Sequence, residues 1–230
     1  MNTVFDAFAM TAAAHPSNPW LCVPAKADRD YEPAGIEITF GAAFAAIAAL
    51  LTRYRAAGYG PGHRVALMLD NRPDHFLHMW ALNGLGVSVV PVNPDCMPHE
   101  FAHQMEHSDA DLAVVLARHE ARTMDVAQAR LKPLPIVTLE RLPDAIPAPT
   151  TKPLRRDISR ASEAAVIYTS GTTGRPKGCL IDNAFMFAVG DWYATIGGKL
   201  KLEPGRERVF VPLPVFHVNV GTNTAAALIL

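Results

Sequence analysis

The chain has 230 residues, of which 50% are hydrophobic and 19% charged, so it can bury a substantial core. Its formal net charge of −1 excludes the basic surface on which nucleic-acid binding depends. The longest apolar run, residues 42–51, is too short to span a bilayer, and Asp6 interrupts the segment where a secretory signal would lie. Three cysteines, odd in number and far apart, predict reduced, partly buried thiols in a cytoplasmic protein.

Hydrophobic periodicity and turn residues predict alternating helices and strands from the start of the chain. The first helix is predicted over residues 3–14, and the second over 40–57, capped by Thr39 and ended by Gly58. Short Val- and Leu-rich runs separated by helices then indicate an α/β fold with a mostly parallel sheet covered on both faces. The predicted strands are 64–69, 87–91, 112–116 and 136–139, and the helices between them are 73–83, 98–107 and 120–130.

A proline-rich connector separates this part of the chain from the next predicted strand, residues 164–168. Open α/β sheets bind ligands at the carboxyl ends of their strands, and this strand runs directly into a loop at residues 169–178. After the loop come an apolar segment at 179–182, a helix near 183–195, a strand at 208–211 and a helix beginning near Thr222.

The loop at residues 169–178 combines hydroxyls, glycines and one lysine, which is the chemistry of a polyphosphate site. Glycines allow consecutive backbone N–H groups to converge on an anion. At about 4 Å from a phosphate oxygen, near a surface, the Lys177 charge is worth roughly 4 kcal/mol before desolvation is subtracted. The loop is not a Walker loop, because Pro176 stands at the second Walker glycine and Gly178 at the Walker hydroxyl position.

Residues 168–178 read Tyr-Thr-Ser-Gly-Thr-Thr-Gly-Arg-Pro-Lys-Gly and resemble the signature of adenylate-forming enzymes. This superfamily contains the acyl- and aryl-CoA synthetases, firefly luciferase and the adenylation domains of peptide synthetases. Residues 58–73, 82–94 and 212–217 resemble further segments of the superfamily, in the same order. The segment that ends at His217 looks closest to acyl-CoA ligases of the carnitine/crotonobetaine type or the medium- to long-chain fatty acid type.

The resemblance implies an acid–thiol ligase that converts a carboxylic acid into an acyl-adenylate with ATP and Mg²⁺, and then into a thioester with CoA. His217 would be catalytic and line the acyl pocket, and Thr169 would also touch Mg²⁺. The residues that the resemblance assigns to the ATP phosphates are Thr169, Ser170, Gly171, Thr172, Thr173, Gly174 and Lys177.

The chain departs from the superfamily pattern in two respects. Gly221 follows His217 by four residues, where many acyl-CoA synthetases have a glycine three residues on. The later motifs of the superfamily do not occur, so we interpret the chain as an N-terminal fragment that is inactive alone and exposes apolar surface, which favours homo-oligomers. Its predicted parts are 1–45, which belongs with the second lobe, 46–197, the first α/β lobe, and 198–230, the start of the second lobe.

Two other functions stay open at this point. The first is a non-catalytic nucleotide-binding or interaction module, which would bind polyphosphate weakly and turn nothing over. The second is a zinc hydrolase, because His99, Glu100 and His103 fit the pattern His-Glu-x-x-His. A third ligand, His107, lies on the same helix about 12 Å along its axis from His99, too far to converge on one tetrahedral ion. We therefore predict that these histidines form a solvated helix face.

Overall fold

The computed structural model describes residues 1–142, 145–169, 175–203 and 207–229. Within these ranges the chain forms a six-stranded sheet with helices on both faces and a separate two-stranded hairpin. The strands are β1 (Pro19–Val23), β2 (Ile36–Thr39), β3 (Arg64–Met68), β4 (Ser88–Pro91), β5 (Leu112–Val115), β6 (Ile136–Thr138), β7 (Glu163–Thr169) and β8 (Lys177–Asp182). The helices are α1 (Val4–Ala14), α2 (Phe40–Ala57), α3 (Pro73–Asn83), α4 (Pro98–Ser108), α5 (Glu120–Ala129), α6 (Asn183–Thr195) and α7 (Ala225–Ile229).

The large sheet has the strand order β6-β5-β3-β4-β7-β8. Its first five strands are parallel, and β8 pairs antiparallel with β7. All the parallel strands therefore end at one edge of the sheet, which we call the carboxyl edge. The predicted fold class, α/β with a mostly parallel sheet, is confirmed.

Side chains alternate along the central strand, β3, between two apolar cores. Val65 and Leu67 pack in the core shared with α1, α2, α3 and α6, whereas Ala66 and Met68 pack in the core shared with α4 and α5. This alternation is the period of two that a strand imposes on its side chains, and it explains why β3 reads as a continuous apolar run.

Local capping chemistry sets the limits of α2 where the sequence predicts them. The Ala42 backbone N–H donates to the Thr39 side chain at 3.2 Å, and Gly58 ends the helix in the left-handed conformation at φ +100°. A side chain with a Cβ is strained in that conformation, so glycine is the residue that this helix end requires.

Three features differ from the sequence predictions. The hairpin β1–β2 was not predicted, and β8 runs antiparallel on an otherwise parallel sheet. The strand predicted at 208–211 is wrong: the segment joins no sheet among the described residues. Phe210 is 82% exposed there, and Arg208 reaches Glu37 with an N–O distance of 3.6 Å. Aromatic and β-branched composition favours a strand only where a neighbouring strand is available to pair.

The connector between β6 and β7 lies against the amino ends of the strands. The Tyr59 hydroxyl donates to the Pro147 carbonyl at 2.9 Å, and His63 Nε2 lies 3.1 Å from the Thr151 carbonyl. Contact is close at Gly62, where a Cβ would lie 2.7 Å from Leu154 Cγ. The connector thus covers the end of the sheet opposite to the carboxyl edge.

Within the described part of the chain, none of the helices has the combination of length and apolar character needed to cross a membrane. The three cysteines are free thiols, with Cys96 buried and Cys22 and Cys179 exposed.

Candidate functional site

The predicted phosphate loop joins β7 to β8 at the carboxyl edge. Thr169 is the last residue of β7 and pairs across the hairpin with Lys177, the first residue of β8. Both side chains are exposed. Five of the predicted phosphate ligands lie outside the described residues: Ser170, Gly171, Thr172, Thr173 and Gly174. The structure therefore brings together the two ends of the predicted site, Thr169 and Lys177.

Two cations stand at this end of the hairpin. Arg175 and Lys177 are both exposed, and neither forms an ion pair with another described residue. A charge that is not already neutralised by a carboxylate is available to an anionic ligand. The end of the hairpin is thus suited to hold phosphate groups electrostatically.

The ring of Tyr168 lies over Gly178, its partner in the hairpin register. A Cβ at Gly178 would lie 3.0 Å from Val166 Cγ1 and 3.3 Å from Tyr168 Cζ, so a larger residue would displace the ring. The Tyr168 hydroxyl donates to the Gln104 carbonyl of α4 at 3.1 Å. Burial raises the pKa of Tyr168, which keeps the hydroxyl protonated and able to donate.

Two histidines of α4 lie beside this hairpin: His103, from the His-Glu-x-x-His pattern, and His107, one turn further along. His103 Nε2 is 3.0 Å from the Pro176 carbonyl, and His107 Nδ1 is 2.9 Å from the Tyr168 hydroxyl. Glu100 instead accepts from the Met97 backbone N–H at 2.8 Å and so caps the first turn of α4. The prediction of a solvated histidine face is therefore wrong for His103, which is half-buried against β8.

No group of three potential metal ligands is brought together among the residues that the structure describes. Of the residues proposed for zinc, His99 is exposed, while the ring nitrogen of His103 that faces the hairpin is already engaged by a carbonyl. No observation on α4 therefore favours the hydrolase hypothesis.

His217 is exposed and lies in a separate turn that leads into a π-helical segment, Asn219–Thr224. The backbone N–H of Gly221 donates to the His217 carbonyl at 2.8 Å. A Cβ at Gly221 would lie 2.3 Å from the Val215 carbonyl oxygen, so only glycine permits this close approach.

One hydrogen bond ties this turn to the carboxyl edge. The backbone N–H of Val215 donates to Asn71 Oδ1 at 2.9 Å, and Asn71 lies three residues after the end of β3. Because β3 and β7 end at the same edge, the turn that carries His217 is connected to the edge where Thr169 lies. Asn71 is a residue whose role sequence analysis did not identify.

The exposed face of α6 forms an apolar groove with the π-helical segment. Its volume is about 340 Å³, and Phe185 and Trp192 are 41% and 48% exposed there. The groove is lined by Phe185, Ala188, Val189, Trp192, Tyr193 and Asn223. Asn223 follows His217 by six residues, so the groove and the predicted catalytic histidine belong to neighbouring parts of the chain.

Known proteins resemble this chain over between half and nearly all of its length. The family described as AMP-binding enzyme matches residues 8–230. The sulfoacetate–CoA ligase of Cupriavidus necator is 28% identical over 230 residues, which cover 98% of this chain and 43% of that ligase. A crotonobetaine/carnitine–CoA ligase of Salmonella paratyphi B is 31% identical over 140 residues, which cover 56% of this chain and 27% of that ligase.

A solved structure, the fatty acyl CoA synthetase of Mycobacterium tuberculosis, has the same fold. It superposes with a TM-score of 0.75 at 20% identity, covering 99% of this chain and 43% of that one. The chain spans less than half the length of the curated relatives it matches.

Proposed function

The chain belongs to the AMP-binding enzyme family, and from this premise we propose that it serves an ATP-dependent acid–thiol ligase. Membership confirms the resemblance to adenylate-forming enzymes, and the relatives include the two predicted types, a crotonobetaine/carnitine ligase and a fatty acyl synthetase. In the proposed reaction a carboxylate oxygen attacks the α-phosphorus of ATP and pyrophosphate leaves. The CoA sulfur then attacks the acyl carbon and AMP leaves.

One observation carries this proposal: the β7–β8 hairpin presents Thr169 and Lys177 as a facing pair at the carboxyl edge of a parallel sheet. Open α/β sheets bind ligands at this edge. A cation held there by strand pairing can position the β- and γ-phosphates and stabilise the charge that develops on departing pyrophosphate. We assign Ser170, Gly171, Thr172, Thr173 and Gly174 to the same role, since they join the two ends.

The chemistry of Thr169 fits a Mg²⁺ ion carried by ATP. Mg²⁺ prefers oxygen ligands and in nucleotide sites takes few of them from the protein, the rest coming from phosphates and water. Thr169 offers one exposed hydroxyl oxygen at the end of β7. Bound there, Mg²⁺ would supply neutralisation of phosphate charge.

His217 and the α6 groove are our candidates for the acid. His217 is exposed on the turn tied to the carboxyl edge, where its imidazole could hydrogen-bond the reacting carboxylate. The apolar lining of the groove suits the non-polar part of an acid better than a second charge. CoA is proposed as the thiol because the curated relatives are named as CoA ligases.

Acid-dependent exchange of labelled pyrophosphate into ATP tests the proposal in the protein that carries this chain. Lys177→Ala should lower the exchange rate by about 10²- to 10³-fold, the usual cost of losing one electrostatic contact to a reacting group. The matched control is Lys152→Ala, an exposed lysine that follows Thr151 at the opposite edge of the sheet.

Equal rates for Lys177→Ala and the parent would show that the phosphate assignment is wrong. A parent protein that binds ATP but exchanges no pyrophosphate with any of a broad panel of carboxylic acids would instead favour the non-catalytic nucleotide-binding module.

A further inference from the structure

The helix α4 contacts both strands of the phosphate-loop hairpin next to the two ends of the loop. Tyr168 directly precedes Thr169, and Pro176 directly precedes Lys177. His107 reaches Tyr168 and His103 reaches Pro176, at 2.9 Å and 3.0 Å. His103 and His107 are about one turn of helix apart, so one face of α4 contacts both sides of the hairpin.

The direction of each hydrogen bond follows from its partner. A carbonyl can only accept, so His103 carries its proton on Nε2 and donates to Pro176. The Tyr168 hydroxyl gives its one proton to the Gln104 carbonyl, so it accepts from His107 Nδ1–H. Both histidines therefore act as donors toward the hairpin.

Aromatic packing supports the same arrangement. The rings of His107 and Tyr168 meet edge to face with centroids 5.8 Å apart, and those of His103 and His107 lie 5.5 Å apart. Such ring pairs favour one relative orientation, which adds to the constraint from the hydrogen bonds.

From these contacts we propose that His103 and His107 are positioning residues, which hold the two ends of the phosphate loop at the spacing that polyphosphate binding needs. This inference rests on the proposed function of the loop, since it assigns the histidines a role toward that ligand. It also accounts for the His-Glu-x-x-His pattern without a metal: Glu100 caps the helix and His103 secures the hairpin.

Paired substitutions separate positioning from simple packing. The amide nitrogen of glutamine lies near the place of histidine Nε2, and that of asparagine near the place of Nδ1. His103→Gln and His107→Asn can therefore retain the donors, whereas His103→Leu and His107→Leu remove them. His99→Leu is the matched control, because His99 is an exposed histidine of the same helix with no hydrogen bond to another described residue.

The first measurement is amide hydrogen exchange of Thr169 and Lys177 without ligand. The leucine variants should exchange at least fivefold faster than the parent, while the amide variants and His99→Leu stay within twofold. The second is the Kd of inorganic tripolyphosphate by calorimetry, which should rise five- to tenfold in the leucine variants alone.

The two proposals fail separately. Unchanged exchange in the leucine variants, or equal changes in the leucine and amide variants, would overturn the positioning role whatever the affinity for tripolyphosphate. The positioning role would also be overturned if hydrogen exchange changed as expected but no histidine variant altered the Kd for tripolyphosphate. Lys177→Ala serves as reference: if it binds tripolyphosphate as tightly as the parent, the phosphate assignment fails, while the exchange result still decides whether α4 holds the hairpin.

Discussion

The helices α3 and α4 each carry closely spaced histidines, yet the two sets have different surroundings. On α3, His75 and His78 are 1% and 2% exposed and face the core. His78 Nδ1 lies 2.7 Å from the Tyr54 hydroxyl of α2, so its bond joins two helices. On α4, the bonds of His103 and His107 reach a hairpin at the edge of a site. The partner of a histidine, rather than its spacing along the helix, therefore distinguishes a core-stabilising role from the positioning role that we propose for α4.

The largest expected effect of a substitution is on α3. His78→Ala should lower the free energy of unfolding by about 3 kcal/mol, because it leaves a cavity and a buried tyrosine hydroxyl without its partner. The affinity of the folded protein for tripolyphosphate should not change. Urea unfolding measures the first quantity and calorimetry the second.

The control for this prediction is His99→Ala on α4, which should stay within about 0.5 kcal/mol of the parent because the side chain is exposed. If fully folded His78→Ala bound tripolyphosphate more weakly than the parent, the histidines of α3 and α4 would not have separate roles.

Acid should destabilise the protein through the α3 histidines. Burial lowers the pKa of His75 to about 4 and that of His78 to about 3, from an ordinary value of 6.5. Below pH 6.5 these histidines are therefore protonated in the unfolded chain but stay neutral in the folded chain. Their contribution to the free energy of unfolding is fully present above pH 6.5 and falls as the pH drops toward 4. Each such proton lowers the free energy of unfolding by about 1.4 kcal/mol per pH unit.

Urea unfolding at several pH values between 7 and 4 measures this slope. His75→Leu should lower the slope by up to the contribution of one proton, about 1.4 kcal/mol per pH unit. The variant should lose little stability at pH 7, since His75 Nε2 is buried without a partner among the described residues. An unchanged slope in that variant would contradict the assignment of the acid effect to His75.

A smaller effect on stability is expected in the hairpin that α4 contacts. Gly178→Ala should cost about 1–2 kcal/mol, because the new methyl group would crowd Val166 and the Tyr168 ring. It should also accelerate hydrogen exchange at the hairpin end by displacing the ring from His107. The matched test is a double-mutant cycle with Tyr168→Leu, in which the cost of Gly178→Ala should shrink. Additive costs would show that the ring is not the group that Gly178 accommodates.

Much of the fold could be predicted because its signals are local. The limits of α2 and α3 agree with prediction to the residue, since α2 follows a capping residue and ends at a glycine and α3 begins at a proline. The helix predicted near residues 183–195 is present as α6. The strand predicted at 208–211 failed because strand formation depends on a partner, which composition does not reveal. The domain boundaries and the oligomeric state stay predictions.

The site was predictable only in part, for a physical reason. Thr169 and Lys177 could be proposed as phosphate ligands because hydroxyls, glycines and a lysine are concentrated in one short loop, and this assignment stays a prediction. The contacts of His103 and His107 join residues 73 and 61 positions apart, and no local pattern encodes such a pairing. The pattern on α4 was visible, but we predicted a solvated face for its histidines because the sequence does not show what the helix packs against.

The connector along the amino ends of the strands has a consequence for the order of folding. Its contacts, such as Tyr59 with Pro147, join residues 88 positions apart, and the ion pair of Arg64 with Glu163 at the start of β7 joins residues 99 apart. Closing such long loops costs conformational entropy before any stabilising contact forms, which slows non-local strand pairing. Pulse labelling during refolding should therefore show protection in β3 and β5 before β7. Thr169 lies at the end of this late strand, so the candidate phosphate site should form after the rest of the sheet.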